Sequence, residues 1–194
     1  MVPRAVCVDS GGHFTSSVYE FCHARFRRRV WAIKGRGGPG VPIWPKKPTR
    51  TKGGCPVFLI GVDQIKHQIY ARLKNDRAGT PGYMGFDASL PDGWFDQLTA
   101  ERLVVTYKRG FAVSTWILPS GIRNEALDCC AYALAALHGF YAIGFDLARE
   151  AQILENVPLR VPSEPGSPPA PMPPSVNPPP VRRRTIRSSW LAAS

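Results

Sequence analysis

Short apolar runs punctuate the first third of the chain, and each ends abruptly on a polar residue. Ala5-Val6-Cys7-Val8 ends on Asp9, Val30-Trp31-Ala32-Ile33 on Lys34, and Val57-Phe58-Leu59-Ile60-Gly61-Val62 on Asp63. Continuous runs of this length predict strands buried in a sheet. After the first run Gly11 and Gly12 form a turn, and Thr15 or Ser16 is placed to cap a helix. Val18, Phe21, Cys22 and Phe26 follow at helical spacing, and the segment closes in Arg25, Arg27, Arg28 and Arg29. Ile65, Ile69 and Leu73 mark a second helix, and Gln97 to Arg102 reads as a third. Leu103-Val104-Val105-Thr106-Tyr107 and Phe111-Ala112-Val113-Ser114-Thr115-Trp116 then read as strands joined around Lys108-Arg109-Gly110. Strand, loop and helix in succession make the chain α/β.

The longest apolar stretch, Cys129 to Phe145, follows directly on Arg123-Asn124-Glu125-Ala126-Leu127-Asp128. It falls short of the ~20 residues that cross a bilayer, so it is expected to be a buried helix without a membrane role. Glu125 and Asp128 stand three apart and share a face of that helix, while Leu127, Cys130, Ala131 and Leu134 cover another. Two readings of the acids remain open. With Asn124 as N-cap they complement the helix dipole; with Asp9 they form an acidic site. Asp63 divides in the same way, as the cap of its helix or as a further ligand.

Composition narrows the partners. The 194 residues carry a formal charge of +11, which favours a polyanion. Between Lys34 and Gly54 glycines and prolines alternate with Lys34, Arg36, Lys46, Lys47, Arg50 and Lys52, around Trp44. Such a segment is either an extended contact to a phosphate backbone, with a ring free to stack, or a solvated loop. The basic hairpin tip around Arg109 carries the same two readings. Five cysteines without a Cys-x-x-Cys pair are expected to be reduced thiols, and the histidines do not complete a zinc set. No Gly-Lys-Ser/Thr ending turns Gly35-Arg36-Gly37-Gly38 into a nucleotide loop. From Pro158 the chain is rich in proline and arginine, so residues 1–156 are expected to form the folded domain and 157–194 a disordered basic tail.

Several blocks, in order, resemble one known family. Val8-Asp9-Ser10-Gly11-Gly12-His13, Ala32-Ile33-Lys34-Gly35 and Ile60-Gly61-Val62-Asp63 with Lys66 are followed by Pro81-Gly82-Tyr83 and Gln97-Leu98-Thr99-Ala100-Glu101. Arg123-Asn124-Glu125-Ala126-Leu127-Asp128-Cys129, with Tyr132-Ala133-Leu134-Ala135-Ala136-Leu137, completes the series. Together they resemble the C-terminal endonuclease domain of lambda-like phage terminase large subunits.

The resemblance implies an RNase H-like mixed sheet with flanking helices, here incomplete. It implies hydrolysis of double-stranded DNA during genome packaging, with carboxylates holding two Mg²⁺ or Mn²⁺ ions. Carried onto this sequence, the catalytic and metal-binding residues are Asp9, Glu125 and Asp128, with Asp63 a distant fourth. The implied partners are double-stranded DNA, a terminase small subunit and the portal and procapsid, in the cytoplasm of a bacterial host. The family also has an ATPase and an earlier strand bearing its own metal-binding Asp, whereas only eight residues precede Asp9 here; a separate chain would have to supply them. Gly85 stands where the family usually has a histidine. The alternative expectation is a catalytically inactive prophage remnant that binds DNA or protein through its basic surface.

Overall fold

The structure, a computed structural model, describes residues 3–156, apart from the side chain of Lys108. The expected tail, 157–194, lies outside the described residues. One compact unit comprises Met1–Ala151; of the second, Gln152–Ser194, the described residues reach Asn156.

Each of the three early apolar runs forms a strand: β1 (Val6–Asp9), β2 (Val30–Arg36) and β4 (Pro56–Gly61). They are parallel in the order β1, β2, β4, and the two-residue β3 (Thr49–Arg50) adds antiparallel at the outer edge of β4. The result is a mixed α/β fold with a mixed sheet. Side chains alternate across it. Trp31, Ile33, Phe58 and Ile60 point to one face and join Ile65, Ile69, Leu127, Ala131 and Ala135 in the main core. Ala32 and Val57 point to the other, where Cys22 and Cys55 complete a smaller cluster with Val8 and Val18. Runs without alternation are therefore the natural sequence for β2 and β4, because both faces are covered, whereas β1, expected to be buried, is an edge strand and only partly buried.

Helix α1 (Thr15–Arg25) covers the smaller cluster, while α2 (Val62–Leu73) and α4 (Glu125–Ala142) cover the main core. Neither expected cap is made as a cap. Phe14 occupies the position before α1, and the Thr15 hydroxyl donates instead to the carbonyls of Ser10 and Gly12. Gly61 occupies that position before α2, which leaves Asp63 inside its first turn.

The reading of Gln97 to Arg102 as a helix is corrected. Helix α3 is Asp92–Leu98, and Arg102 already begins β5 (Arg102–Lys108). Glu101 lies between them in a buried ion pair with Lys66, so its environment, and not its helix propensity, fixes the boundary. Strand β6 (Phe111–Ile117) pairs antiparallel with β5 across the turn at Arg109 and Gly110, whose φ values are 51° and 82°. Left-handed backbone at both turn residues matches the twist of a tight hairpin. The hairpin leans on the rest through Trp116, whose ring lies 4.7 Å from that of Tyr70 and 5.2 Å from His67.

The basic segment between β2 and β4 is neither a free stacking arm nor a solvated loop throughout. It crosses the sheet on the main-core face, where Trp44 packs 4.4 Å from Phe58 and 5.1 Å from Trp31. Gly139 of α4 admits these rings: a Cβ there would lie 2.6 Å from Trp31 and 2.9 Å from Trp44. Helix α4 ends at Ala142, earlier than the apolar run, and Gly144 turns the chain at φ +87° into α5 (Leu147–Glu155). Among the described residues no single helix is long and apolar enough to cross a membrane; α4 and α5 pass that test only together, bent by 97°.

Candidate active site

The C-terminal end of β1 and the first turn of α4 place two carboxylates in electrostatic contact. Asp9 closes β1, and the chain leaves it through a tight turn: Gly11 N–H donates to Asp9 Oδ1 at 2.9 Å. Ser10 anchors that turn to the sheet, its N–H and hydroxyl both donating to the carbonyl of Ile33, at 2.9 Å and 2.7 Å. Asp9 is thus held on a fixed strand end while remaining exposed.

Asp128 is half-buried on α4. Burial raises its carboxyl above the usual range; Lys66 pulls it down, and the charges of Glu101, Asp9 and Glu125 push it up again. Tyr132 lies one turn further along the same face. Burial is the main cause of its raised pKa, and the charges of Asp128 and Asp9 and a hydrogen bond to the Asp9 carboxylate add to it. The phenol therefore stays protonated beside the two acids.

Glu125 shares the helix turn but not the environment. It is exposed and accepts a 2.9 Å hydrogen bond from Arg123 Nε. Its carboxyl is lowered by its own backbone N–H and then by Arg123. Asn124 does precede α4, but its side chain does not cap the helix; it donates to Glu101 Oε1 at 2.9 Å. Asp63 is removed from the acidic pair as well, since its Oδ2 accepts the backbone N–H of Gly38 at 2.7 Å.

Glu101 is the acid that sequence reasoning did not single out. It is 4% exposed, and both its oxygens lie 2.6 Å from Lys66 Nζ. Its carbonyl also accepts the Tyr70 hydroxyl at 2.6 Å. These bonds tie α2, the start of β5 and the start of α4 to one point beneath Asp128. The partners lie 35 residues apart, so no local spacing announces them. Tyr132, four residues after Asp128, did leave a helical signal.

Among the described residues no three His, Cys, Asp or Glu side chains are placed to share a metal ion. The donors that do converge, Asp9 and Asp128, are hard oxygens of the kind that bind Mg²⁺ or Mn²⁺ through one or two carboxylates, with water and substrate phosphate completing the shell. Two carboxylates are chemically suited to such an ion and too few to hold two. The Cys7 and Cys22 thiols are unsuited to this role, because burial pushes Cys7 up to about 12 and Cys22 up to about 11.

Residues 1–147 match the family described as "Terminase large subunit gpA, endonuclease domain". The chain belongs to this family. It is 39% identical over 140 residues to the terminase large subunit of Escherichia phage lambda, an overlap covering 68% of this chain and 21% of that protein. To the terminase large subunit of Enterobacteria phage P21 it is 33% identical over 144 residues, 71% of this chain and 22% of that one. The chain spans about a fifth of the length of these curated relatives. No solved structure matches it. Within the terminase endonuclease family the acidic strand end and the acidic helix start are thus the natural place to look for chemistry.

Proposed function

We propose that this chain is an endonuclease region of a phage or prophage terminase large subunit, hydrolysing phosphodiesters of double-stranded DNA during genome packaging. The observation that carries the reading is the placement of Asp9 at the end of β1 and of Asp128 in the first turn of α4, near enough for the charge of Asp9 to push the Asp128 carboxyl up. Two carboxylates kept close against their mutual repulsion are the arrangement expected where a cation is to be bound. In this reading the sheet and its helices are part of an RNase H-like nuclease domain, and the partners are those of packaging: a small subunit, the portal and the procapsid, in the host cytoplasm.

Asp9 and Asp128 would hold Mg²⁺ or Mn²⁺, which when bound polarises the scissile phosphodiester as a Lewis acid. The remaining steps belong to the chain. Gly11 N–H fixes one oxygen of Asp9. Lys66 offsets part of the cost of ionising Asp128. Glu125, exposed and held by Arg123, reaches the site only by leaving that partner, so its role is the weaker of the three acids.

One observation favours a second reading, an inactive fragment that binds DNA through its basic surface: the described residues bring two carboxylates together and not three. Plasmid nicking by the purified chain with Mg²⁺ or Mn²⁺ separates the two. Cutting by the wild type, abolished in Asp9→Ala and Asp128→Ala and reduced less in Glu125→Ala, establishes the nuclease; a folded wild type that leaves the plasmid supercoiled establishes the second reading.

A further inference from the structure

The face of the sheet covered by α1 carries a concave surface separate from the acidic pair. Ser16, Tyr19, Glu20 and His23 recur at spacings of three and four, so they form one stripe along α1. That stripe faces the Thr51–Cys55 turn across a depression of about 480 Å³, with Lys52 at its rim. A second depression of about 180 Å³ shares Tyr19 and Thr51 with the first and adds Lys34, Thr49 and Arg50. The two form one groove along the β3 edge.

The groove is rigid where it matters. Thr51 N–H donates to the Cys55 carbonyl at 3.0 Å, Gly54 N–H to the Thr51 carbonyl at 2.9 Å, and Cys55 N–H to the Thr51 hydroxyl at 3.1 Å. Gly54 adopts φ +81°, which other residues rarely take, and its open side lies against His23. Lys52 is therefore presented from a fixed turn. Three cations, Lys34, Arg50 and Lys52, face a single acid, Glu20. Among the described residues none of these three cations forms an ion pair with a carboxylate, and Arg50 reaches only the Gly54 carbonyl, at 3.4 Å.

Free cations and hydroxyls set on an otherwise largely apolar lining call for an anion spread over several positions that also carries flat apolar groups, which is the chemistry of a phosphodiester chain with its bases. The lining of the larger depression decides the form of that chain. A duplex keeps its bases stacked and offers phosphates and base edges but no base face, whereas a pocket walled by a phenol and an imidazole receives an unstacked base. We propose that this groove binds a single strand of DNA, its phosphates on Lys34, Arg50 and Lys52 and one base against Tyr19 and His23. The site lies across the sheet from Asp9 and Asp128 and needs no divalent ion, so it stands whether or not the acidic pair cuts.

The test is fluorescence anisotropy of the full chain with a labelled 12-nucleotide oligothymidylate in EDTA, between 50 and 200 mM salt. Arg50→Ala/Lys52→Ala should weaken binding and make the logarithmic salt dependence shallower by about 1.4, or ~0.7 for each phosphate no longer neutralised. Tyr19→Leu should weaken it by about fivefold or more without altering that slope, and Tyr19→Phe should leave it unchanged. Melting curves confirm that each variant is folded; should Tyr19→Leu fail that check, His23→Ala at an exposed position takes its place. The proposal is overturned if wild type does not bind at 50 mM salt or the folded variants keep wild-type affinity and slope. It is equally overturned if a 12-base-pair duplex binds as tightly as the single strand and responds identically to every variant.

Discussion

Lys66→Met removes the ammonium from Glu101 while keeping most of the side-chain stem. The pair is well enclosed, with side chains 13% and 4% exposed, and the nitrogen sits 2.6 Å from both oxygens. At an effective dielectric of ~20 that separation corresponds to a gross attraction of about 6 kcal/mol. After substitution the Asn124 amide, at 2.9 Å, is the remaining side-chain donor to a buried carboxylate. Removing one partner of a buried pair costs about 3–5 kcal/mol, because the charge left behind is uncompensated. For a domain of this size each kcal/mol moves the melting temperature by about 2–4 °C, so the expected loss is about 6–20 °C. Urea unfolding followed by tryptophan fluorescence measures the free-energy cost, and a thermal melt the temperature shift. The double variant Lys66→Met/Glu101→Leu, which removes both charges, should recover most of the loss. A single-variant cost below about 1 kcal/mol, the range of an exposed pair, would refute the reasoning.

Three further outcomes follow from features already described. Asp128→Asn should raise the melting temperature at pH 7. The folded carboxyl is raised, so the folded state binds its proton more tightly, ionisation above that pKa costs stability, and the gain over wild type should vanish once pH falls below the ordinary carboxylate range. Gly139→Ala, although favoured by helix propensity, drives a methyl into Trp31 and Trp44; a net loss of about 1–3 kcal/mol is expected in denaturant unfolding. Gly61→Ala brings a Cβ against the carbonyl oxygens of Val41 and Pro42, backbone atoms that cannot step aside as a side chain can, and the variant should fail to give a cooperative melt.

Strands and helices were legible wherever burial was symmetric. The runs before Lys34 and Asp63 are apolar throughout because the sheet there is covered on both faces, while the run before Asp9 forms an edge strand that is only partly buried. Caps were less legible. Thr15, Asp63 and Asn124 all stand where caps are favoured, yet each spends its polar group elsewhere, on Ser10 and Gly12, on Gly38 and on Glu101. Local preference names a residue able to bond, and tertiary contacts choose the partner. Trp44 shows the same limit: flanked by glycine, proline and lysine it reads as a surface ring, and only the crossing over Phe58 makes it core. In the site, the pairing of Asp9 with Asp128 was carried by resemblance, while the Lys66 to Glu101 pair depends on a contact between α2 and the start of β5 that no local pattern encodes.

The passage of residues 37–55 across the sheet bears on how the gene can be cut and rejoined. Composition alone would recommend this glycine- and proline-rich segment for an affinity tag, a fluorophore or a split point. Opening it would instead detach β4, a strand buried on both faces, from β2 and withdraw Trp44 from beneath α4. The hairpin tip at Arg109 and Gly110 is the better place, because it is exposed and its neighbours bury little. A reporter inserted there should leave the melting temperature within a few degrees of wild type, whereas the same insert after Lys46 should not.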